Sequence, residues 1–403
     1  MNQTRNCPVC SSSDALELVA LKKYPFTEKF AEPGSQPSFG EFSADQRVLI
    51  CGQCSHGFLE MQYDPKKLYH SNYKTVSAKS QPAMQATRQL LEFASDSLAL
   101  EKLELIFDIG ANDGSLLRQV SEMGFAGEKF ALDPSFATWD EDVHGFTGFI
   151  EDFDFNNIPE VSGSRLFIAS HVLEHVADPV NVVNKIAMNM GPKDLLVLQF
   201  PALEPMALDR RFDQVHHQHF HYFSWKSFLR LLSSTGLQVS KAKVDWNHYG
   251  AGNVALTKNE ASEEDFALDN SAPWWDPKLA NFEGDDFSKI LGYYQEFKSY
   301  LEIVDRLLSE KPFVALGAGL MSPIVFYYLP STWKNCVAIF DHEESKAGQR
   351  YLNTPCVVSP VPSTLRGLDS LISGAVSKGA GRRLFQIADE LGARTIAFPV
   401  LNY

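Results

Sequence analysis

The chain has 403 residues, of which 44% are hydrophobic and 21% charged, and its formal net charge is −14. This length and composition describe a globular protein of two or three domains, and so acidic a chain would repel phosphates, which argues against nucleic acid as the main partner. Residues 1–6 lack the apolar core of a secretory signal, no run of about 18 apolar residues occurs, and six cysteines do not make a disulfide scaffold, so no membrane association and a cytoplasmic location are expected.

In chain order, the first signal is a pair of CxxC knuckles, Cys7-Pro8-Val9-Cys10 and Cys51-Gly52-Gln53-Cys54. Two such turns place four thiolates around one tetrahedral zinc, a closed site that leaves no open position for catalysis. His56 would become a ligand only if one cysteine were not. A redox role for one CxxC is the competing idea. Helical spacing from about Met84 to Leu103 leads into a buried strand, Ile106-Phe107-Asp108-Ile109, that breaks at Gly110. Gly110 and Gly114 bracket the small polar loop Ala111-Asn112-Asp113, and a helix restarts at Leu116-Leu117. Strand, glycine loop and helix bring a nucleotide-like ligand against backbone amides at a helix N-terminus. Asp133 ends the next strand, where an acid can hold ribose hydroxyls. From Phe107 to Ala255 strands and helices alternate, which predicts an α/β, doubly wound, mostly parallel sheet. A third strand is expected to end near Asp152, a fourth is Arg165–Ser170, and a fifth is Leu195–Pro201.

The wording of the glycine loop, Asp-Ile-Gly-Ala-Asn-Asp-Gly-Ser-Leu-Leu from Asp108 to Leu117, resembles motif I of class I S-adenosylmethionine methyltransferases. The Asn-Asp-Gly variant is similar to the sugar C-methyltransferase branch, whose members act on nucleotide-linked 4-keto sugars and carry an N-terminal zinc-binding segment. By that resemblance Asp108, Gly110, Asn112, Asp113 and Gly114 form the cofactor loop, with Gly110 and Asn112 on the methionine side, and Asp133 binds the ribose. Asp152 would approach the adenine amine, His171 would border the methyl-transfer site, and Tyr73 would fold over the cofactor. Glu174 and His175 are expected to cap and pack the helix that follows.

A second informative stretch runs from Phe212 to Ser224 and holds four of the eleven histidines within six residues. If extended, it would put His217, His219 and His221 on one face and allow a metal site with Asp213 or Asp209. The resemblance points instead to acid–base chemistry. The family carries Tyr-His-Glu-His followed by an aromatic pair and Ser, and this chain reads His216-His217-Gln218-His219, then Tyr222-Phe223-Ser224. His219 maps to the family's general base, while His216 and Gln218 replace its tyrosine and glutamate. Methylating carbon requires loss of a proton alpha to a ketone, which an imidazole near its ordinary pKa of about 6.5 can accept. The developing enolate oxygen then needs a donor, for which Gln218 and His216 are candidates, with Tyr222 shaping the site.

Residues 259–265 are acidic and polar, and a long amphipathic helix is expected from Phe282 to Glu310. A second nucleotide-like unit follows: Phe313–Leu316, then Gly317-Ala318-Gly319, and Val337–Asp341. Taken alone, Gly317 and Asp341 suggest an NAD-dependent epimerase or reductase. The resemblance implies instead a Rossmann-like C-terminal domain that binds no dinucleotide and closes over the sugar nucleotide, with Lys346 and Arg350 as phosphate contacts. The expected segments are therefore a zinc-binding domain over 1–75, a methyltransferase domain over 76–258 and a substrate-binding domain over 259–403. The expected activity is C-methylation of a nucleotide-linked keto sugar with S-adenosylmethionine and a structural zinc, by a monomer or homodimer. O-methylation of a sugar or small metabolite is the rival.

Overall fold

The computed structural model describes residues 2–3, 6–27, 30–31, 43–65, 77–99, 102–135, 138–209, 211–258, 279, 287–319, 322–351, 356–364, 370–373, 386–393 and 395–397. Tyr73 lies outside them. The chain divides into two compact units. One comprises Met1–Glu17, Val48–Met206 and Gln218–Phe287; the other comprises Leu18–Arg47, Ala207–His217 and Ser288–Tyr403. These units cut across the segments 1–75, 76–258 and 259–403 read from the sequence. Both cysteine knuckles go with the first unit, and Leu18–Arg47, between them, goes with the second.

The elements in chain order begin with β1 (Ala15–Pro25), β2 (Ser43–Cys51) and β3 (Gly57–Leu59), then α1 (Gln81–Ser95). The central α/β part follows: β4 (Leu103–Ile109), α2 (Ser115–Glu122), β5 (Glu128–Asp133), β6 (Val143–Thr147), β7 (Ser164–Ser170), α3 (Pro179–Met188) and β8 (Leu195–Pro201). After it come β9 (His221–Tyr222), α4 (Trp225–Leu232), β10 (Leu237–Asp245) and β11 (Ala251–Lys258).

In the first unit seven strands form one sheet in the order β10-β11-β8-β7-β4-β5-β6. All neighbours from β8 to β6 are parallel, and β11 runs antiparallel to both β8 and β10. This is the doubly wound, mostly parallel α/β sheet expected from the sequence, with an antiparallel pair at one edge. Its central strands are buried on both faces, as the nearly unbroken apolar runs of β4 and β8 require. Side chains alternate across the sheet. Leu105, Phe107 and Ile109 join one core with Val182, Val183 and Ile186 of α3 and Phe228 of α4. Ile106 joins the other, with Leu90 and Leu91 of α1 and Leu116, Leu117 and Val120 of α2. Local chemistry sets the helix starts. Asp178 caps α3 through Oδ1, which accepts from the Asn181 amide at 3.0 Å, with Pro179 in the first turn. Ser224 caps α4 through Oγ, which accepts from the Ser227 amide at 3.1 Å.

Two boundaries differ from the sequence reading. The first helix spans Gln81–Ser95 rather than beginning at Met84 and reaching Leu103, because Ser80 caps it and Pro82 lies in its first turn. The strand expected to run to Asp152 ends at Thr147, and Gly148, with φ +159°, leads into a turn that holds Asp152.

The second unit contains α5 (Phe287–Leu308), β12 (Phe313–Leu316), α6 (Ser322–Tyr327), β13 (Cys336–Asp341), β14 (Val358–Pro360), β15 (Ser370–Ser373) and β16 (Thr395–Ala397). The five strands form a parallel sheet in the order β14-β13-β12-β15-β16. Among the described residues no helix is long and apolar enough to cross a membrane.

Candidate active site

In the seven-stranded sheet β5 and β6 lie on one side of β4, and β7 and β8 on the other. The chain order reverses between β4 and β7, so a crevice opens there at the carboxyl ends of the strands, the usual ligand site of such sheets. The loop Gly110–Gly114 lines one wall and His171-Val172 the other. Gly110 has φ +76°, and a Cβ added to it would come within 2.4 Å of Val172 Cγ2. Only glycine fits so close a turn. Asn112, at φ +50°, and Gly114, at φ +73°, complete the left-handed turns that open α2.

The loop is tied to Asp133. The Asn112 amide donates to Asp133 Oδ2 at 2.9 Å, and the Ser135 amide donates to Oδ1 at 2.7 Å. Asn112 Oδ1 accepts from the Ser77 amide at 3.1 Å, so this side chain anchors the loop to the segment ahead of α1. Asp113 Oδ2 pairs with Arg118 at 2.9 Å, while its buried Oδ1 has no protein partner, nor has Ser135 Oγ. Such orphaned atoms beside a glycine turn fit a polar, nucleoside-like ligand. Asp108 is buried, and desolvation together with the charges of Asp133 and Asp113 raises its pKa to about 8.

Opposite the loop, a group of imidazoles surrounds one carboxylate. Glu174 is fully buried, and its Oε1 lies 2.9 Å from His171 Nδ1 and 3.9 Å from His175 Nε2. Burial works to raise the Glu174 pKa, but the His171 hydrogen bond and the imidazole charges outweigh it and hold the group below the usual range. His171, at φ +54°, continues through Nε2 to His248 Nε2 at 2.9 Å. His175 Nδ1 donates to the Gln218 carbonyl at 2.7 Å, and its ring lies 4.8 Å from that of His219. Tyr222 is buried, with its ring 6.5 Å from His219. Glu174 does not cap α3, contrary to expectation; Asp178 does. Instead the Glu174 carbonyl accepts the Phe220 and His221 amides at 2.7 and 3.2 Å, which fastens the histidine stretch beside the crevice.

Residues 81–242 match a family model described as a methyltransferase domain. The chain therefore carries an S-adenosylmethionine-dependent methyltransferase domain. C-methyltransferase NovU of Streptomyces niveus is 24% identical over 236 residues, which cover 58% of this chain and 56% of that relative, so little more than half of the relative's length is matched. Among solved structures, a putative S-adenosylmethionine dependent methyltransferase from Listeria monocytogenes is 14% identical, covering 44% of this chain and 100% of its own, with a TM-score of 0.34. Magnesium protoporphyrin IX methyltransferase from Synechocystis PCC 6803 with bound SAH is 12% identical, covering 44% and 84%, with a TM-score of 0.35.

The methyltransferase domain brings most of the residues singled out in the sequence to one end of its sheet. Asp108, Gly110, Asn112, Asp113, Gly114 and Asp133 cluster at β4 and β5, His171 lies across the crevice, and His219 and Gln218 meet His175. His216 falls in the second unit. The metal face proposed for His217, His219 and His221 does not form. The stretch is a turn rather than a strand until His221. His217 Nε2 donates to the Tyr24 carbonyl and His221 Nε2 to the Val176 carbonyl, both at 2.9 Å, and burial lowers both pKa values to about 4. These two are neutral structural histidines. Neither the place of Glu174 in the crevice group nor that of His248 follows from the sequence pattern. Glu174 carried a signal, its place between two histidines in His171-Val172-Leu173-Glu174-His175; the isolated His248 carried none.

In the knuckles, Cys7 and Cys54 sulfurs are 3.6 Å apart, Cys10 and Cys51 sulfurs are 3.5 Å apart, and all four lie within 4.8 Å of one another. A tetrahedral zinc with bonds of about 2.3 Å sets its sulfurs roughly 3.8 Å apart, so the set fits. Each knuckle closes alike: the Ser11 amide donates to the Cys7 carbonyl and the Ser55 amide to the Cys51 carbonyl, with both serines at positive φ. His56 stays outside the set and bonds through Nε2 to His221 Nδ1 at 3.1 Å.

Proposed function

We propose that the protein is an S-adenosylmethionine-dependent C-methyltransferase of a nucleotide-linked keto sugar, with His219 as the general base. The observation that carries this reading is the convergence of His219, His175, His171 and His248 around buried Glu174, across the crevice from the Gly110–Gly114 loop. The match to a C-methyltransferase supports carbon as the acceptor.

The bound cofactor supplies an electrophilic methyl group. The chain's own residues do the rest. The glycine loop, Asp108, Asn112 and Asp113 hold the methionine end, Asp133 the ribose, and Asp152 the adenine side. His219 takes the proton alpha to the ketone, with the His175 ring beside it limiting its orientation. Gln218 and Tyr222 shape the pocket, and a donor beside the base holds the enolate oxygen. Because Gln218 stands where the family has glutamate, no carboxylate at that position favours the imidazolium form of the base. Cys7, Cys10, Cys51 and Cys54 hold a structural zinc, and the second unit binds the sugar nucleotide.

The test is incubation with S-adenosylmethionine and a panel of nucleotide-linked 4-keto sugars, with products read by mass and NMR. Methyl gain on carbon, with exchange of the alpha proton into deuterated water when the cofactor is omitted, is expected. Methyl gain on oxygen without exchange would replace this reading with O-methylation.

A further inference from the structure

We propose that Glu174, His175 and His219 form a second metal site, distinct from the four cysteines, that takes a borderline divalent transition cation such as Zn2+. One donor atom from each of the three lies within 4.8 Å of the others. Zinc bonds to nitrogen and oxygen of about 2.0–2.1 Å imply donor separations of roughly 3.4 Å, so closure takes a side-chain shift on the order of one ångström.

Two of the three donors have second contacts that suit coordination. His175 donates from Nδ1 to the Gln218 carbonyl, and its Nε2 faces Glu174 Oε1 at 3.9 Å. A ligating histidine typically has its other ring nitrogen bonded to a carbonyl or carboxylate in this way. Glu174 is divided likewise. Oε1 accepts from His171, and Oε2 is buried without a partner. Two imidazoles and one carboxylate suit zinc and its transition-metal neighbours better than magnesium or calcium, which prefer all-oxygen shells.

Occupancy has a consequence that rests on the proposed role of His219. A metal held by His219 would withdraw it from proton abstraction, so the cation is an inhibitor of methyl transfer and competes for the base.

The experiment uses the full-length protein with its cysteine-bound zinc in place, dialysed against micromolar Zn2+ and analysed for metal. Two equivalents are expected for the wild type, and one for each of Glu174→Gln and His219→Gln. Wild-type protein that retains a single equivalent overturns the site, as does a second equivalent that persists in both variants. If a variant fails to fold, cobalt decides on the wild type. Co2+ added to the zinc-loaded protein should give visible d–d bands without thiolate charge-transfer absorption. No bands, or thiolate bands, overturn the site. Activity separates the two ideas: at least ten-fold loss of methyl transfer on loading, reversed by chelation, supports both. A loaded second site with full activity leaves the metal site standing and removes His219 as the base.

Discussion

The Asn112 amide donates to Asp133 Oδ2 at 2.9 Å, and the second unit repeats this closure between the Ala318 amide and Asp341 Oδ2 at 2.7 Å. In both, the other carboxylate oxygen accepts the amide two residues on, from Ser135 and from Glu343. In the second unit Lys346 Nζ lies 3.2 Å from Asp341 Oδ2, so a cation already meets this acid. Asp133, beside the Gly110–Gly114 loop, is the acid proposed to serve the cofactor. Asp133→Asn should weaken S-adenosylmethionine binding roughly 10- to 100-fold, the range for a hydrogen bond to a charged group. Asp341→Asn should leave that affinity within about two-fold. Calorimetric titration of both variants checks this, and equal losses would sink the assignment.

Gly110 packs directly against Val172. Gly110→Ala combines a left-handed backbone with contact against Val172 Cγ2, and should lower stability by about 1–3 kcal/mol and impair cofactor binding. Adding Val172→Ala should recover part of the stability, because it removes the steric share and leaves the backbone share. Thermal melts of the single and double variants report the difference; no recovery would mean the clash is not the cause.

Asp108 should make stability depend on pH. Its folded pKa, about 8, is above the unfolded value of about 3.9, so the native state binds the extra proton between those limits. This contribution is complete below the unfolded pKa and declines as pH rises toward 8, by at most about 1.4 kcal/mol per pH unit. Urea midpoints from pH 5.5 to 8.5 should fall less steeply for Asp108→Asn than for the wild type. Parallel slopes would contradict a protonated Asp108.

The cysteine site should be structural. Chelation of its zinc, or Cys51→Ser, should lower the melting temperature by several degrees or more, since zinc-site binding energy acts as folding energy on the order of several kcal/mol. Metal analysis alongside the melts checks it. Unchanged melting after complete zinc loss would leave the knuckles without that role.

Some of this protein was legible from local sequence because its causes are local. The glycine loop, the strand-ending Asp133, the cysteine knuckles and the alternating core of β4 each follow from contacts or backbone conformations within a few residues. The histidine stretch shows the limit. Four histidines in six residues look like one site, yet His217 and His221 are each neutralised by burial and held by a backbone carbonyl, and His219 alone meets the crevice group. What selects among them is which backbone carbonyls and which carboxylate the fold brings near, and these belong to residues 45 to 193 positions away in sequence. Sequence by itself thus determined the sheet, its glycine turn and the pair of cysteine knuckles. Only the tertiary structure decided that a buried Glu174 would gather imidazoles from three separate loops, because burial and long-range packing set the charge and hydrogen-bond partner of each ring.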